Sequence, residues 1–98
     1  MIVRVVQMIF KSECIEEFRE IFKHSKEAIR NSAGCFELIL YQDASDPKIF
    51  FTYSIWESEK HLNAYRNSEG FEATWNKTKV LFDGKPSAWT LLKTSNIQ

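Results

Sequence analysis

The strands written into this chain are apolar on both of their faces. Successive side chains of a strand point to opposite sides, so in Ile2 to Phe10 one side receives Val3, Val5 and Ile9 and the other Val6, Met8 and Phe10. The later segment Cys35 to Gln42 places Leu38, Ile39 and Leu40 in succession. A sheet with one face in water alternates apolar with polar residues. These strands do not, so both faces of their sheet require cover, and helices supply it for one. An uncovered second face would exceed the few hundred Å² of apolar patch that monomers usually carry. Packing against the same face of a second copy resolves this with a two-fold interface. The alternative is that the tail or a loop covers that face. The aromatic load points the same way: 14% of 98 residues, with eight Phe and three Trp, is heavy for a single domain of this size. The expectation is therefore a homodimer of one-domain chains, residues 1–98, with a core over about 2–93 and a polar tail over 94–98.

The elements follow from periodicity and punctuation. After the first strand, Ser12 is a suitable N-cap, and Ile15, Phe18, Ile21, Phe22, Ser25, Ala28 and Ile29 recur at helical spacing with charged residues between them. Asn31-Ser32-Ala33-Gly34 closes that helix, glycine being able to take the left-handed conformation. Cys35 to Gln42 and Ile49 to Trp56 read as strands joined by the turn Asp43-Ala44-Ser45-Asp46-Pro47, hence an antiparallel hairpin. Ser58 caps a short helix through Leu62 and Tyr65. Ser68 caps another, in which Phe71, Trp75, Thr78 and Phe82 share a face and Asp83-Gly84 marks the end. Ala88 to Leu92 is a last strand, and Thr94 to Gln98 is expected to fray. The order is strand-helix-strand-strand-helix-strand, an α+β arrangement.

Composition excludes several classes of function. Thirteen Lys and Arg balance thirteen Asp and Glu in a scattered pattern, which gives no electrostatic grip on nucleic acid or an anionic membrane. No apolar run approaches the roughly 20 residues that span a bilayer, and the N-terminal run lacks a basic leader and a small-residue cleavage site. The expected location is the cytoplasm. Cys14 and Cys35 flank a helix that separates them by roughly 25–30 Å, too far for a disulfide. No His, Cys or carboxylate pair has ligand spacing, and Gly34, Gly70 and Gly84 are too dispersed for a phosphate loop. No metal, nucleotide or flavin is expected. His24 falls off the apolar stripe and His61 lies among Lys60 and Asn63, so both read as surface residues.

The tract Gly34-Cys35 to Asp43, Asp46-Pro47, and Phe50-Phe51-Thr52-Tyr53-Ser54-Ile55-Trp56-Glu57-Ser58-Glu59, with Leu62, Tyr65 and Ser68 after it, resembles the antibiotic biosynthesis monooxygenase (ABM) family. The resemblance implies a ferredoxin-like βαββαβ subunit with a four-stranded antiparallel sheet, paired into a dimeric α/β barrel, and a pocket between helices and sheet. It also implies a cofactor-independent oxidation of a quinol or other electron-rich aromatic or enolisable molecule by O2. A non-catalytic ligand-binding dimer and an isomerase are the alternatives. Members often carry Glu where Ser54 stands and His where Tyr65 stands, so the usual acid or base is missing at both positions. In the haem-degrading branch the iron ligand, its asparagine and its tryptophan fall by position on Trp75, Gln7 and Tyr65, which disfavours haem.

A pocket of this kind must be dry and must favour a substrate anion. Gln7, Tyr65 and Trp75 are the candidate catalytic residues, since each brings a polar tip to an apolar setting. Phe22, Tyr53, Ser54, Trp56 and Phe71 are the candidate substrate-binding residues. For Trp56 and Phe71 a plain core role competes, because large aromatics fill cores more often than they touch substrates.

Overall fold

The computed structural model describes residues 1–95; the last three residues of the expected fraying tail lie outside the described residues. Strand β1 (Ile2–Ile9) is followed by a single 3-10 turn at Ser12–Cys14 and by helix α1 (Ile15–Arg30). Strands β2 (Cys35–Gln42) and β3 (Ile49–Trp56) follow, then helices α2 (Glu59–Arg66) and α3 (Glu69–Lys79), and strand β4 (Ser87–Leu92). The strands form one antiparallel sheet in the order β2-β3-β1-β4. This is the ferredoxin-like α+β arrangement, and within one chain the sheet is open, not a closed barrel.

Local chemistry explains most element ends. The β2–β3 turn is held by Asp43, whose Oδ2 accepts from the Ser45 and Asp46 amides at 3.0 and 2.9 Å, and by Asp46, whose Oδ1 accepts from the Lys48 amide at 3.0 Å. Ser58 and Ser68 cap α2 and α3, accepting from the His61 and Phe71 amides. Ser12 does not cap α1: it begins the 3-10 turn, and Cys14 stands at the N-cap without a side-chain bond. Helix α3 stops at Lys79, before Asp83-Gly84. The chain leaves the helix there because Leu81 turns inward, 5% exposed, and Phe82 bridges to Phe10 beyond the end of β1. The helical hydrogen bonds it gives up are replaced by those between Lys11 N and Leu81 O (3.0 Å) and between Asp83 N and Ile9 O (2.8 Å).

Gly34 closes α1 with φ +82°, the left-handed region. A Cβ there would stand 2.5 Å from His61 Cγ and 2.6 Å from its Cδ2, so the glycine also admits the imidazole. Gly34→Ala is expected to cost about 2 kcal/mol or more, combining backbone strain with a clash against a capped side chain. His61→Ala in the same chain should recover the steric part and leave the backbone part. Urea midpoints of the four proteins in this cycle test it, and a single mutant within about 0.5 kcal/mol of wild type would refute it.

All helices lie on one face of the sheet. Side chains paired across β1 and β3 share a face, so Ile2, Arg4, Val6 and Met8 go with Trp56, Ser54, Thr52 and Phe50. On this side Ile2, Met8, Phe50, Ser54 and Trp56 are buried. Phe10, fully buried, stacks on Phe18 of α1 (centroids 4.1 Å) and meets Phe50 edge-on (5.8 Å). The opposite side carries Val3, Val5, Gln7 and Ile9 with Ile55, Tyr53, Phe51 and Ile49. None of these is buried, and all six residues of β4 are exposed.

Candidate functional site

Between the helix-covered face and α1, α2 and α3 lies a cavity of about 320 Å³, within the range of small-molecule sites. Each element delivers its share through its own period. Helix α1 presents Phe18, Ile21, Phe22, Ser25 and Ile29, the apolar stripe seen in the sequence. The even positions Arg4, Val6 and Met8 come from β1, and Thr52, Ser54 and Trp56 from β3. Leu62, Tyr65 and Arg66 come from α2, and Phe71, Thr74, Trp75 and Thr78 from α3.

One wall is a run of aromatic contacts. Trp56 stacks on Tyr65 (5.1 Å, 27°), Tyr65 meets Phe71 edge-on (5.2 Å), and Phe71 stacks on Trp75 (5.9 Å, 11°). Trp75 then meets Phe82 edge-on at 5.5 Å. Such pairs add roughly 0.5–1.5 kcal/mol each beyond area burial, which holds the wall in one arrangement.

Several polar groups on the lining are already engaged. Ser54, 6% exposed, accepts the Trp56 indole N–H at 2.9 Å and donates to the Arg4 carbonyl at 3.5 Å. It locks the indole ring in place. Ser25 and Thr78 donate back to carbonyls of their own helices, Ile21 and Thr74, at 2.9 and 2.8 Å. The Tyr65 hydroxyl has no protein partner among the described residues, yet no buried side-chain polar atom there is left unpaired. That hydroxyl is therefore accessible to solvent, and Tyr65 is one of the residues that line the cavity. Burial, with Cys35 a smaller contributor, pushes its pKa up to about 12. At neutral pH Tyr65 is a proton-bearing donor, not a base.

A comparison with protein-family models matches residues 1–77 to "Antibiotic biosynthesis monooxygenase". The chain belongs to this family. Solved structures agree on the fold of the ABM chain. A crystal structure of an antibiotic biosynthesis monooxygenase superposes with TM-score 0.91 at 18% identity, covering 97% of this chain and 100% of that one. A conserved protein from Methanosarcina mazei Go1 gives 0.90 at 23% identity, with 96% and 94% covered. Rv0793 from Mycobacterium tuberculosis gives 0.88 at 14%, with 99% and 98% covered. Among curated proteins the sequence finds no match.

Of the residues singled out in the sequence, Phe22, Ser54, Trp56, Tyr65, Phe71 and Trp75 of this ABM chain line one cavity. Gln7 and Tyr53 do not. Gln7 pairs with Phe51 and Tyr53 with Val5, which puts both on the opposite side of the sheet. The expected convergence of Gln7 with Tyr65 and Trp75 is corrected by strand parity. His24 is exposed, 3.6 Å from Glu20. His61 is half-buried, not a simple surface residue: its Nδ1 is 2.8 Å from Ser58 Oγ and its Nε2 3.1 Å from Glu57. It belongs to the α2 cap and lies outside the cavity lining. Cys14 and Cys35 are free thiols, and burial raises the Cys35 pKa. Among the described residues no helix is long and apolar enough to cross a membrane, and no group of three or more His, Cys, Asp and Glu is arranged to hold a metal ion.

Sequence reasoning passed over Arg4 and Arg66, the two charged residues on the lining. Arg4 was legible: it is the one charge in an apolar strand and shares its parity with Val6 and Met8. Arg66, exposed at the end of α2, carried no such signal.

Proposed function

We propose that this protein is a cofactor-independent monooxygenase that oxidises an electron-rich aromatic, a quinol or a phenol, with O2 in the cavity between helices and sheet. The observation that carries the reading is the aromatic run Trp56-Tyr65-Phe71-Trp75 along the cavity, with Tyr65 on the lining, protonated at neutral pH and its hydroxyl without a protein partner among the described residues. Family membership supports the reaction class. For a phenol with a free para C–H, the anion gives one electron to O2, and the radical pair closes a C–O bond. The peroxide takes a proton and loses water with the para hydrogen. The product is a quinone, with one oxygen from O2 in the ring carbonyl and the other in water. Tyr65 donates to the substrate oxygen, Trp75 and Phe71 hold the ring, and Phe22 closes the wall from α1. The working unit is a homodimer joined through the open sheet face.

Oxygen uptake with a panel of quinols and hydroxylated aromatics tests the reaction. Tyr65→Phe removes a hydrogen bond to a charged group and should lower kcat/KM about 10- to 100-fold with the fold unchanged. Because the Tyr65 pKa is raised from 10.0 to about 12, its contribution to stability is full below the ordinary value and is lost progressively as pH rises from there through about 12. No break in the rate below about pH 10 belongs to Tyr65. The break that is seen should follow the pKa of each substrate and persist in Tyr65→Phe. Turnover of the same compounds without oxygen would point to an isomerase. Thermal stabilisation without consumption of ligand would point to a binding protein.

A further inference from the structure

Among the described residues the cavity lining carries two cations and no anion. Arg4 and Arg66 border it, and none of the chain's thirteen Asp and Glu does. Among the described residues neither arginine lies within salt-bridge distance of a carboxylate: the ion pairs present are Arg19 with Glu16, His24 with Glu20, and His61 with Glu57. Arg4 is half-buried at the centre of a four-stranded sheet. Its Nη1 donates to Thr90 Oγ1 at 2.8 Å, and this is its side chain's one hydrogen bond to protein among the described residues. A guanidinium has five N–H donors, so most of the fork is free. Arg66 is the last residue of α2, next to Tyr65 in the chain. The two guanidinium groups feel each other: burial first, and the Arg66 charge second, hold the Arg4 pKa below its ordinary value. Two like charges facing one apolar cavity are an unfavourable arrangement until an anion joins them.

We propose that Arg4 and Arg66 form an anion-binding subsite of the cavity and that the substrate is an aromatic carboxylate, its carboxylate held by the two guanidinium groups and its ring against Tyr65, Phe71 and Trp75. This inference rests on the oxidation proposed above, in the same cavity. A planar fork matches a carboxylate through paired N–H···O bonds. The subsite also accounts for a lining without Asp, Glu or His: two fixed positive charges favour the phenolate form of the ring they hold, so that less is asked of a protein base.

Calorimetric titration with 2-naphthoate and with the neutral isostere 2-naphthamide separates this subsite from the aromatic wall. Wild-type protein should bind the carboxylate at least tenfold more tightly than the amide at low salt, and the difference should shrink as salt is added. Arg4→Gln and Arg66→Gln should each weaken 2-naphthoate about tenfold and leave 2-naphthamide within twofold. Arg66 is exposed, so its variant folds even where Arg4→Gln does not, and circular dichroism checks both. Equal affinity of wild type for the two probes overturns the anion subsite while leaving the aromatic cavity standing. A carboxylate preference that survives both substitutions overturns the assignment to these residues. Binding of neither probe at millimolar concentration overturns the subsite and the proposed function together.

Discussion

Trp56→Ala is expected to be the most damaging single substitution in the chain, lowering stability by about 3–5 kcal/mol. Trp56 is 1% exposed and is the largest fully buried side chain. It packs with Ile2, Cys35 and Leu62, and with Tyr65 at their edge. The loss has two parts. Removal of the indole leaves a void between β3 and α2 and takes away the ring against which Tyr65 stacks. It also removes the donor for the buried Ser54 hydroxyl at 2.9 Å. A domain of this size shifts its Tm by about 4–8 °C for each kcal/mol, so the variant should melt roughly 15–30 °C below wild type. Trp56→Phe keeps most of the volume and loses the hydrogen bond, and should sit between the two proteins. Calorimetric melting of the three decides it. A fall of less than about 1 kcal/mol in Trp56→Ala would mean that the packing of Ile2, Cys35 and Leu62 does not depend on this residue. Ligand affinity should fall as well, because Tyr65 loses the surface that orients its hydroxyl.

What could be read in advance divides along the range of the interaction. Caps at Ser58 and Ser68, the Asp43–Asp46 turn and the left-handed Gly34 are decided by a few neighbouring residues, and the sequence displays them directly. Ser12 misled because a serine ahead of an amphipathic run is a permitted N-cap, not an obligatory one. Three residues of 3-10 turn intervene before α1. The end of α3 was hidden for a different reason: Asp83-Gly84 is a plausible stop, but the choice is made by Phe10, distant in sequence, which draws Phe82 out of the helix into a bridge. The site obeyed the same division. Helix periodicity delivered Phe22, Tyr65, Phe71 and Trp75 to one cavity, since each helix has a single inward stripe. Strand residues needed parity and a decision about which face the helices cover. Gln7 shares its parity with Val3 and Val5, and Tyr53 cannot face the same side as Ser54. Because both sides of β1 are apolar, hydrophobicity alone could not say which side held the cavity.

Trp89→Lys is expected to dissociate the proposed dimer, raising its dissociation constant at least about 100-fold while leaving the single chain's stability within about 0.5 kcal/mol of wild type. The strand register sets Trp89 in a row that crosses the open face, Ile39-Tyr53-Val5-Trp89, with Glu37-Ile55-Val3-Leu91 beside it. Trp89 and Leu91 are 46% and 47% exposed in one chain. β4 is hydrogen-bonded to β1, yet every one of its residues is exposed, an edge strand without cover on either face. A symmetric sheet-to-sheet contact would bury the row against its own copy, and would give Gln7 and Tyr53 interface roles in place of catalytic ones. A lysine in that row would have to surrender its hydration without a partner charge, which costs several kcal/mol; in a lone chain it would stay in water. Sedimentation velocity at micromolar concentration should therefore find wild type as a dimer and Trp89→Lys as a folded monomer. Ala73→Lys, a change on the exposed side of α3, should remain dimeric. A monomeric wild type, or a Trp89→Lys protein that stays paired, would refute the sheet-to-sheet contact. The cavity would then have to be complete within one chain.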